Sequence, residues 1–263
     1  MGFPALADPM IDTHCHLTDQ RFDEDRERVL DRAHHAGVTH FIEIAYAPEI
    51  LPRAQALAAA HPALFLCPGV HPSESAKVPG SWIETLRAEA RHPRVVALGE
   101  TGLDFYRDYA PRADQERWFR AQLALADELG LPVVIHQRSA LAETLAILEE
   151  LRPRAGGVLH CFDDGPETVE RARSLGFRLG IGGCLTYGHG PLEEAVKVAP
   201  AELLVLETDS PWLEPEPRSL RRNEPALLAR VLRRLCELRA WTPEEADRIT
   251  TANAKELFRL PVA

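Results

Sequence analysis

The sequence predicts an α/β fold, a single (β/α)8 TIM-type barrel in which eight parallel strands alternate with helices. Three observations support this prediction. The chain has 263 residues, a typical length for one such barrel. Eight short apolar runs alternate with longer amphipathic stretches, and the runs are continuous, as in strands buried on both faces of a parallel sheet. We therefore assign residues 1–263 to one domain, with a doubly wound open sheet as the alternative fold.

The predicted strands and helices alternate along the chain. The strands are Pro9–Ile11, Val38–Ile44, Leu64–Val70, Arg94–Leu98, Pro132–Ile135, Gly157–Leu159, Phe177–Ile181 and Leu203–Leu206. The helices are Arg21–Ala36, Ala47–Ala60, Ser81–Arg91, Pro111–Gly130, Ser139–Leu151, Pro166–Leu175, Pro191–Val198, Asn223–Arg239 and Pro243–Phe258. Gly37, Gly130 and Gly176 each follow a helical stretch, where a left-handed residue is favoured. Thr242-Pro243-Glu244-Glu245 fits an N-terminal capping box.

Composition excludes several classes of protein. Apolar residues make up 45% of the chain, enough for a sizeable core. No window approaches the run of about 18 apolar residues that a membrane-spanning helix needs. Met1–Met10 has neither the cationic start nor the apolar stretch of a signal peptide, so we expect a cytoplasmic protein with no membrane partner. The five cysteines have no CxxC spacing, which indicates free thiols.

The charge restricts how nucleic acid can be bound. The net charge is −10, whereas a protein that coats nucleic acid through many phosphate contacts is usually basic. Any DNA substrate must therefore bind locally, at a site where metal ions supply the positive charge.

The candidate site lies at the C-terminal ends of the predicted strands, where barrels of this kind carry their active sites. The residues found there are His14, His16, Glu100, His136, His160 and Asp209, and His71 follows the third strand. His14 and His16 are two apart on an extended segment, so both imidazoles point to the same side and can clamp a metal ion. A lone histidine at a strand end is more often structural than a ligand. Four histidines and two carboxylates on one rim instead favour a metal site.

Six ligands exceed the four that one tetrahedral ion needs. Two divalent ions are the simplest interpretation, because paired ions can clamp both the attacking and the leaving oxygen of a hydrolysis. No lysine falls at a strand end, so a carboxylate must bridge the ions, and Glu100 is the candidate. Mixed His and carboxylate ligands suit Zn or Mn, while phosphoryl chemistry often runs on Mg. The sequence contains neither a GxSxG nucleophile motif nor a Walker phosphate loop.

Seven motifs, in the same order along the chain, resemble the TatD family of metal-dependent deoxyribonucleases. They are Asp12-Thr13-His14-Cys15-His16-Leu17, Pro68-Gly69-Val70-His71-Pro72, Gly99-Glu100-Thr101-Gly102-Leu103-Asp104, Val134-Ile135-His136-Gln137-Arg138, Leu159-His160-Cys161-Phe162, Glu207-Thr208-Asp209-Ser210-Pro211-Trp212-Leu213 and Arg222-Asn223-Glu224-Pro225. The resemblance implies a barrel of the amidohydrolase superfamily with two or three divalent ions. It also implies hydrolysis of phosphodiester bonds in DNA, often as a 3′-to-5′ exonuclease.

The resemblance also implies roles for single residues. It makes the six residues at the strand ends metal ligands, places His71 near the metals as an outer-sphere group or a phosphate contact, and has Asp104 and Arg138 line the pocket. The sequence departs from the family in two places. Asp163-Asp164 stands where the family usually has Ser-Gly, and Ser73 stands where many relatives carry a second His. The added negative charge disfavours DNA binding.

Two other functions compete with a nuclease. An ester or amide hydrolase, such as a D-aminoacyl-tRNA deacylase, needs the same activated water and polarised oxygen. A scaffold or binding protein with a relict metal site is the other, and the complete ligand set argues against it. In either hydrolase, Glu100 and Asp209 are the predicted catalytic carboxylates, with Asp209 as the general base. The alternative role of Asp209 is to cap the turn before Pro211.

Overall fold

The structure is a computed structural model that describes residues 10–107, 109–188, 190–218 and 222–260. The strands are β1 (Met10–Cys15), β2 (Val38–Ala45), β3 (Leu64–Pro68), β4 (Leu98–Asp104), β5 (Val133–Arg138), β6 (Gly157–Leu159), β7 (Phe177–Ile181) and β8 (Leu204–Leu206). The helices are α1 (Arg26–His35), α2 (Leu51–Ala60), α3 (Trp82–Glu89), α4 (Arg112–Leu129), α5 (Leu141–Leu151), α6 (Pro166–Ser174), α7 (Gly190–Val198), α8 (Leu228–Arg239) and α9 (Pro243–Phe258). Each predicted element has a counterpart, so the predicted alternation is confirmed. Pro9, the first residue of the first predicted strand, lies outside the described residues.

The strands pair in parallel, as the predicted fold requires. They form a three-stranded sheet in the order β1-β2-β3 and a five-stranded sheet in the order β4-β5-β6-β7-β8. Two isolated parallel bridges add to this order. Leu66 of β3 pairs with Val95, shortly before β4, and Cys15 of β1 pairs with Ser210, shortly after β8. Strands that are consecutive in the chain are therefore neighbours, which is the strand order of a (β/α)8 barrel.

The chain divides into two compact units whose segments are interleaved along the sequence. Unit 1 comprises Met1–Glu43, Cys161–Glu170 and Arg178–Ala263, and unit 2 comprises Ile44–His160 and Arg171–Phe177. Phe22, Phe41 and Phe258 lie in the core of unit 1, whereas Leu64 and Phe119 lie in the core of unit 2. A single domain over residues 1–263 stays a prediction.

The helix ends follow the signals in the sequence. Gly130 ends α4 in the left-handed conformation, with φ 66°. At the start of α9, the hydroxyl of Thr242 accepts the backbone N–H of Glu245 at 3.2 Å. Helix α1 begins at Arg26 rather than at the predicted Arg21, because a short 3-10 turn, capped by the side chain of Asp19, precedes it.

Strand β4 differs most from its prediction. The apolar run Arg94–Leu98 predicted a strand that ends before Glu100, whereas β4 begins at Leu98 and contains Glu100. Strands β1 and β5 also extend past their apolar runs, to Cys15 and Arg138. The physical reason is that a parallel ladder requires paired backbone groups, not apolar side chains. The polar side chains at these strand ends are therefore carried by rigid strands rather than by loops.

Candidate metal centre

Two histidines and one aspartate of unit 1 form the first set of candidate ligands, here named group A. His14 lies in β1 and His16 follows it, and their Nε2 atoms are 3.2 Å apart. Asp209 follows β8, and its Oδ1 lies 3.3 Å from Nε2 of His16 and 3.7 Å from Nε2 of His14. The two imidazoles point to the same side, as their spacing in the sequence predicts.

The backbone brings Asp209 to the two histidines. The N–H of Asp209 donates to the carbonyl of His14 at 2.9 Å, and the N–H of His16 donates to the carbonyl of Ser210 at 2.9 Å. Asp209 has a positive φ of 55°, a conformation that Asp and Asn adopt more readily than most residues. An aspartate therefore suits this position through its backbone as well as through its carboxylate.

The spacing within group A suits a metal ion. Bonds of about 2.0–2.1 Å to a tetrahedral ion place its ligands roughly 3.3 Å apart. The three donor–donor distances in group A, 3.2, 3.3 and 3.7 Å, are close to that separation. Imidazole and carboxylate are also the ligands that zinc and manganese accept. The residues present in group A therefore fit a divalent ion.

Two buried carboxylates hold the segments that carry group A. Asp12 accepts the N–H of Thr208 at 2.9 Å and its hydroxyl at 2.6 Å. Burial raises the pKa of Asp12 to about 7, although these hydrogen bonds oppose the rise. Glu43 accepts the N–H of Leu17 and both the N–H and the hydroxyl of Thr18, and burial raises its pKa as well. The ends of β1 and β8 are thus fixed by side chains as well as by the sheet.

Glu207 is a candidate site residue that sequence reasoning missed. One of its carboxylate oxygens accepts the N–H of Cys161 at 2.6 Å, and it offers a ligand oxygen within 4.8 Å of an imidazole nitrogen of His14. Gly180 makes room for it, because a Cβ at that position would collide with the carboxylate. The signal was present in the sequence, since residues 207 and 209 are two apart, a spacing that places both carboxylates on one side of an extended segment.

Glu100 lies at the centre of the second set of candidate ligands, which belongs to unit 2 and is here named group B. Its Oε1 lies 2.8 Å from Nδ1 of His136, 3.7 Å from Nε2 of His71 and 3.8 Å from Nε2 of His160. The donor atoms of His71, Glu100 and His136 all lie within 4.8 Å of one another. The family resemblance gives His71 an outer-sphere role, whereas this geometry also suits direct contact with an ion.

His136 is held at both ring nitrogens. Its Nδ1 faces Glu100, and its Nε2 lies 3.1 Å from Oδ2 of Asp104. Burial lowers the pKa of His136, but the two carboxylates outweigh burial and raise the pKa to about 9. For Asp104 the directions are opposite. Burial raises the pKa of its carboxyl group, but hydrogen bonds from His136 and from backbone N–H groups outweigh burial and lower the pKa. A carboxylate behind a histidine fixes the ring orientation of a metal ligand, and Asp104 occupies that place.

The close approach of β4 to β5 sets the positions in group B. In the register of the two strands, Gly102 lies opposite His136 and Asp104 lies opposite Arg138. Gly102 has a φ of 140°, and a Cβ there would collide with the backbone carbonyl oxygen of His136. Glycine is therefore required at this position for both conformation and space.

The predicted site residues thus fall into the two units, and one of them is exposed. Unit 1 holds His14, His16 and Asp209, and unit 2 holds His71, Glu100, Asp104, His136, Arg138 and His160. Arg138 is exposed, with its guanidinium 4.0 Å above the ring centre of Tyr106. Its predicted pocket-lining role, the ligand roles of the others and the metal-bridging role of Glu100 stay predictions.

These donors, at the C-terminal ends of parallel strands, define a metal-dependent hydrolase with a (β/α)8 fold. The family is shown by comparison with known proteins. Residues 11–259 match the family model described as TatD related DNase, and the chain belongs to that family. The predicted family, fold class and class of enzyme are therefore confirmed.

Individual relatives match over nearly their whole length. An uncharacterized metal-dependent hydrolase, YabD, from Bacillus subtilis is 36% identical over 95% of this chain and 99% of its own. A 3′-5′ ssDNA/RNA exonuclease, TatD, from Pantoea vagans is 39% identical over 95% of this chain and 100% of its own. The crystal structure of YjjV, a TatD homologue from Escherichia coli, has a TM-score of 0.91 and 34% identity, and covers 96% of this chain and 98% of its own.

Among the helices that the structure describes, none combines the length and the apolar composition needed to cross a membrane.

Proposed function

We propose that this chain is a divalent-metal-dependent exonuclease that removes nucleotides from the 3′ end of single-stranded DNA. The observation that carries the proposal is group A, in which two imidazole nitrogens and one carboxylate oxygen lie at ligand spacing. The relative from Pantoea vagans, named as a 3′-5′ ssDNA/RNA exonuclease, supports the substrate and the polarity. Its name adds RNA as a second substrate to test.

Each group of candidate ligands binds one divalent ion in this proposal. His14, His16 and Asp209 hold one ion, and Glu100 holds another together with His136 and His160. The candidate metals are Zn, Mn and Mg, and the family resemblance also allows a third ion. When bound, such ions polarise a phosphoryl oxygen and make water a stronger acid.

The chain's own carboxylates and imidazoles then position the reactants. Asp209, whose side chain is 16% exposed, accepts a proton from the water that attacks phosphorus. Glu100 is more buried, at 6% of its side chain, and orients the histidines around it. His71 donates a hydrogen bond to a phosphate oxygen. Asp104 holds the ring of His136 in the orientation that exposes Nδ1 to Glu100.

A second candidate function is hydrolysis of an ester or amide, for example of D-aminoacyl-tRNA. The acidic pair Asp163-Asp164 in unit 1 favours it. Asp164 is half-buried, and burial together with the carboxylates of Asp163 and Glu167 raises its pKa to about 6. Asp163, Asp164 and Glu167 bring three carboxyl groups into one short segment, and their negative charge opposes the approach of a polyphosphate strand.

The place of action in this proposal is the cytoplasm. All five cysteines are free thiols, which suits a reducing compartment.

A turnover assay separates the two candidates. The substrates are a 5′-labelled single-stranded DNA, its RNA equivalent, the matching duplex and a charged D-aminoacyl-tRNA, each with Mg, Mn or Zn and with excess chelator. The nuclease proposal expects a ladder of products that shortens from the 3′ end and disappears in chelator. Internal cuts alone, or undiminished activity in chelator, contradict it. Release of the amino acid with the DNA left intact supports the deacylase.

A further inference from the structure

The segment that follows β4 carries two tyrosines that are unusually exposed. Tyr106 is 62% exposed and Tyr109 is 61% exposed. Large aromatic side chains are usually turned inward, because each buries a large apolar area. Phe105, which precedes Tyr106, and Arg107, which follows it, lie in the same segment, and residue 108 is outside the described residues.

Arginines lie against these aromatic rings. The guanidinium of Arg138 is 4.0 Å from the ring centre of Tyr106. The guanidinium of Arg107 is 5.7 Å from the ring centre of Tyr106 and 5.9 Å from that of Tyr109. The guanidinium of Arg112 is 3.9 Å from the ring centre of Phe105. Guanidinium groups within about 6 Å of an aromatic face form cation–π contacts.

These arginines differ from many others in unit 2. Arg120 and Arg154, for example, form ion pairs with Glu150 and Asp127. Neither Arg107 nor Arg138 forms an ion pair with any carboxylate of the described residues. Within the part of the chain that the structure describes, their positive charge is therefore not neutralised by an ion pair, in a chain whose net charge is −10.

The exposed segment is tied directly to group B. Asp104 accepts the N–H groups of Tyr106 and Arg107 on Oδ1, at 3.0 and 2.8 Å, and contacts Nε2 of His136 with Oδ2. The N–H of Phe105 donates to the carbonyl of Arg138 at 2.9 Å. One carboxylate thus positions both the aromatic segment and a candidate metal ligand.

We propose that Tyr106 and Tyr109, with Arg107 and Arg138, form a binding surface for single-stranded nucleic acid. Two successive unpaired bases stack on the two tyrosine rings, and the guanidinium groups bind the phosphate between them and its neighbours along the strand. Aromatic rings interspersed with arginines are the arrangement that recognises unpaired bases without regard to sequence. A duplex keeps its bases stacked inside and offers only its phosphates.

This inference rests on the proposed nuclease function and deepens it. It assigns the preference for single strands to four side chains of unit 2, in a molecule whose overall charge repels DNA. It also explains the exposure of the tyrosines, because a ring that receives a base must be free on at least one face.

Binding in excess chelator tests the surface without cleavage. The probe is a fluorescein-labelled single-stranded oligodeoxynucleotide, followed by anisotropy, and a second probe carries abasic sites at internal positions but the same number of phosphates. We expect Tyr106→Ala and Tyr109→Ala each to weaken binding of the first probe by about 5- to 100-fold. On the abasic probe, wild type and variants should bind equally weakly. Tyr106→Phe and Tyr109→Phe should restore binding of the intact probe.

Val198→Ala is the matched control, because Val198 is a 58%-exposed apolar residue on α7, and its binding should equal that of wild type. Unchanged binding in both alanine variants contradicts the proposed surface, and so does an equal loss on the intact and abasic probes.

In cleavage assays, the variants should show a raised KM and an unchanged kcat on the single strand. A wild-type protein that binds the strand through the tyrosines but leaves it uncut supports the surface and contradicts the nuclease. If the wild-type protein cuts the strand and both alanine variants bind it as tightly as wild type, the nuclease proposal is supported and the surface is contradicted.

Discussion

Group A and group B hold their histidines in different ways. In group A the backbone does most of the positioning, through hydrogen bonds that join the segments of His14 and Asp209. In group B the ring of His136 is held by side chains, with Glu100 at one nitrogen and Asp104 at the other. A point substitution can therefore remove a side chain that holds the ring of His136 in group B. The backbone hydrogen bonds that position group A join two segments of the chain, and a side-chain substitution leaves them in place.

If groups A and B each bind one ion, removing a ligand from one group should release one whole ion, which is the largest effect expected. Wild-type protein should bind about two divalent ions per chain. His16→Ala should remove the ion of group A, and His136→Ala the ion of group B, leaving about one in each variant because each substitution removes a ligand from one group only. Elemental analysis after dialysis, with Mg and Mn added back, measures the count. If either substitution removes both ions, the two groups are one cooperative site and the comparison fails.

Asp209→Asn tests whether group A supplies the general base. Asparagine keeps the size and tolerates the positive φ of this position, but its amide is a very poor base. We expect kcat for release of nucleotides to fall by roughly 10²–10⁴-fold, with folding and most of the metal retained. Single-turnover kinetics and circular dichroism measure the two properties. A variant that keeps more than about a tenth of the wild-type kcat would show that Asp209 is not the base.

Asp104→Asn tests the side-chain support of group B. The amide oxygen can still accept the N–H groups of Tyr106 and Arg107, but the NH2 group cannot accept a hydrogen bond from His136. Loss of a carboxylate behind a ligand histidine typically costs about 10–100-fold in metal affinity or activity, and we expect a fall of that order in kcat/KM. Asp127→Asn, at a surface pair with Arg154, is the matched control and should keep full activity. Equal activity in Asp104→Asn and Asp127→Asn would mean that group B does not depend on the side chain of Asp104.

Arg222→Gln tests the wider support of group A and has the smallest expected effect. Arg222 binds both oxygens of Asp25 at 2.9 Å. Chiefly through this hydrogen bond, against a smaller effect of burial and with help from Arg32, the pKa of Asp25 falls to about 2. The next residue, Asn223, donates to the carbonyl of Thr208 at 2.7 Å, close to Asp209. We expect the variant to lose on the order of 1 kcal/mol of unfolding free energy at pH 7.

The pH dependence has a definite sign. A lowered folded-state pKa stabilises the fold above the unfolded pKa of about 4, and the stabilisation is lost as the pH falls towards the folded value. The difference between wild type and Arg222→Gln should therefore be smaller at pH 3 than at pH 7 in urea unfolding. An equal difference at both values would mean that Asp25 does not mediate the effect.

The strand–helix alternation was predictable from the sequence, because it depends on local patterns. Apolar runs located the strands, and the two-residue spacing of His14 and His16 predicted that their rings meet. The ends of β4 were predicted wrongly, since an apolar run stops where polar side chains begin, whereas a backbone ladder does not. Glu207 directly follows the predicted strand Leu203–Leu206, and its two-residue spacing from Asp209 was not recognised as a ligand pattern.

The contacts of Asp104 could not be predicted in the same way. They depend on the register of β4 against β5, in which Gly102 lies opposite His136. That register is a long-range property, set by the close backbone approach that Gly102 permits. The exposure of Tyr106 and Tyr109 was not predictable either, because an aromatic residue after a strand is usually buried.

The hydrogen bonds between Asp12 and Thr208 join two segments that the ribosome makes at very different times. These residues are 196 positions apart, so a ribosome that adds 5–20 residues per second makes the second roughly 10–40 s after the first. Throughout that interval β1 has no β8 to pair with, and His14 and His16 have no Asp209. The residues of group B, which extend from His71 to His160, have all been made before β8 appears. A chain released early therefore carries every ligand of group B and an incomplete group A.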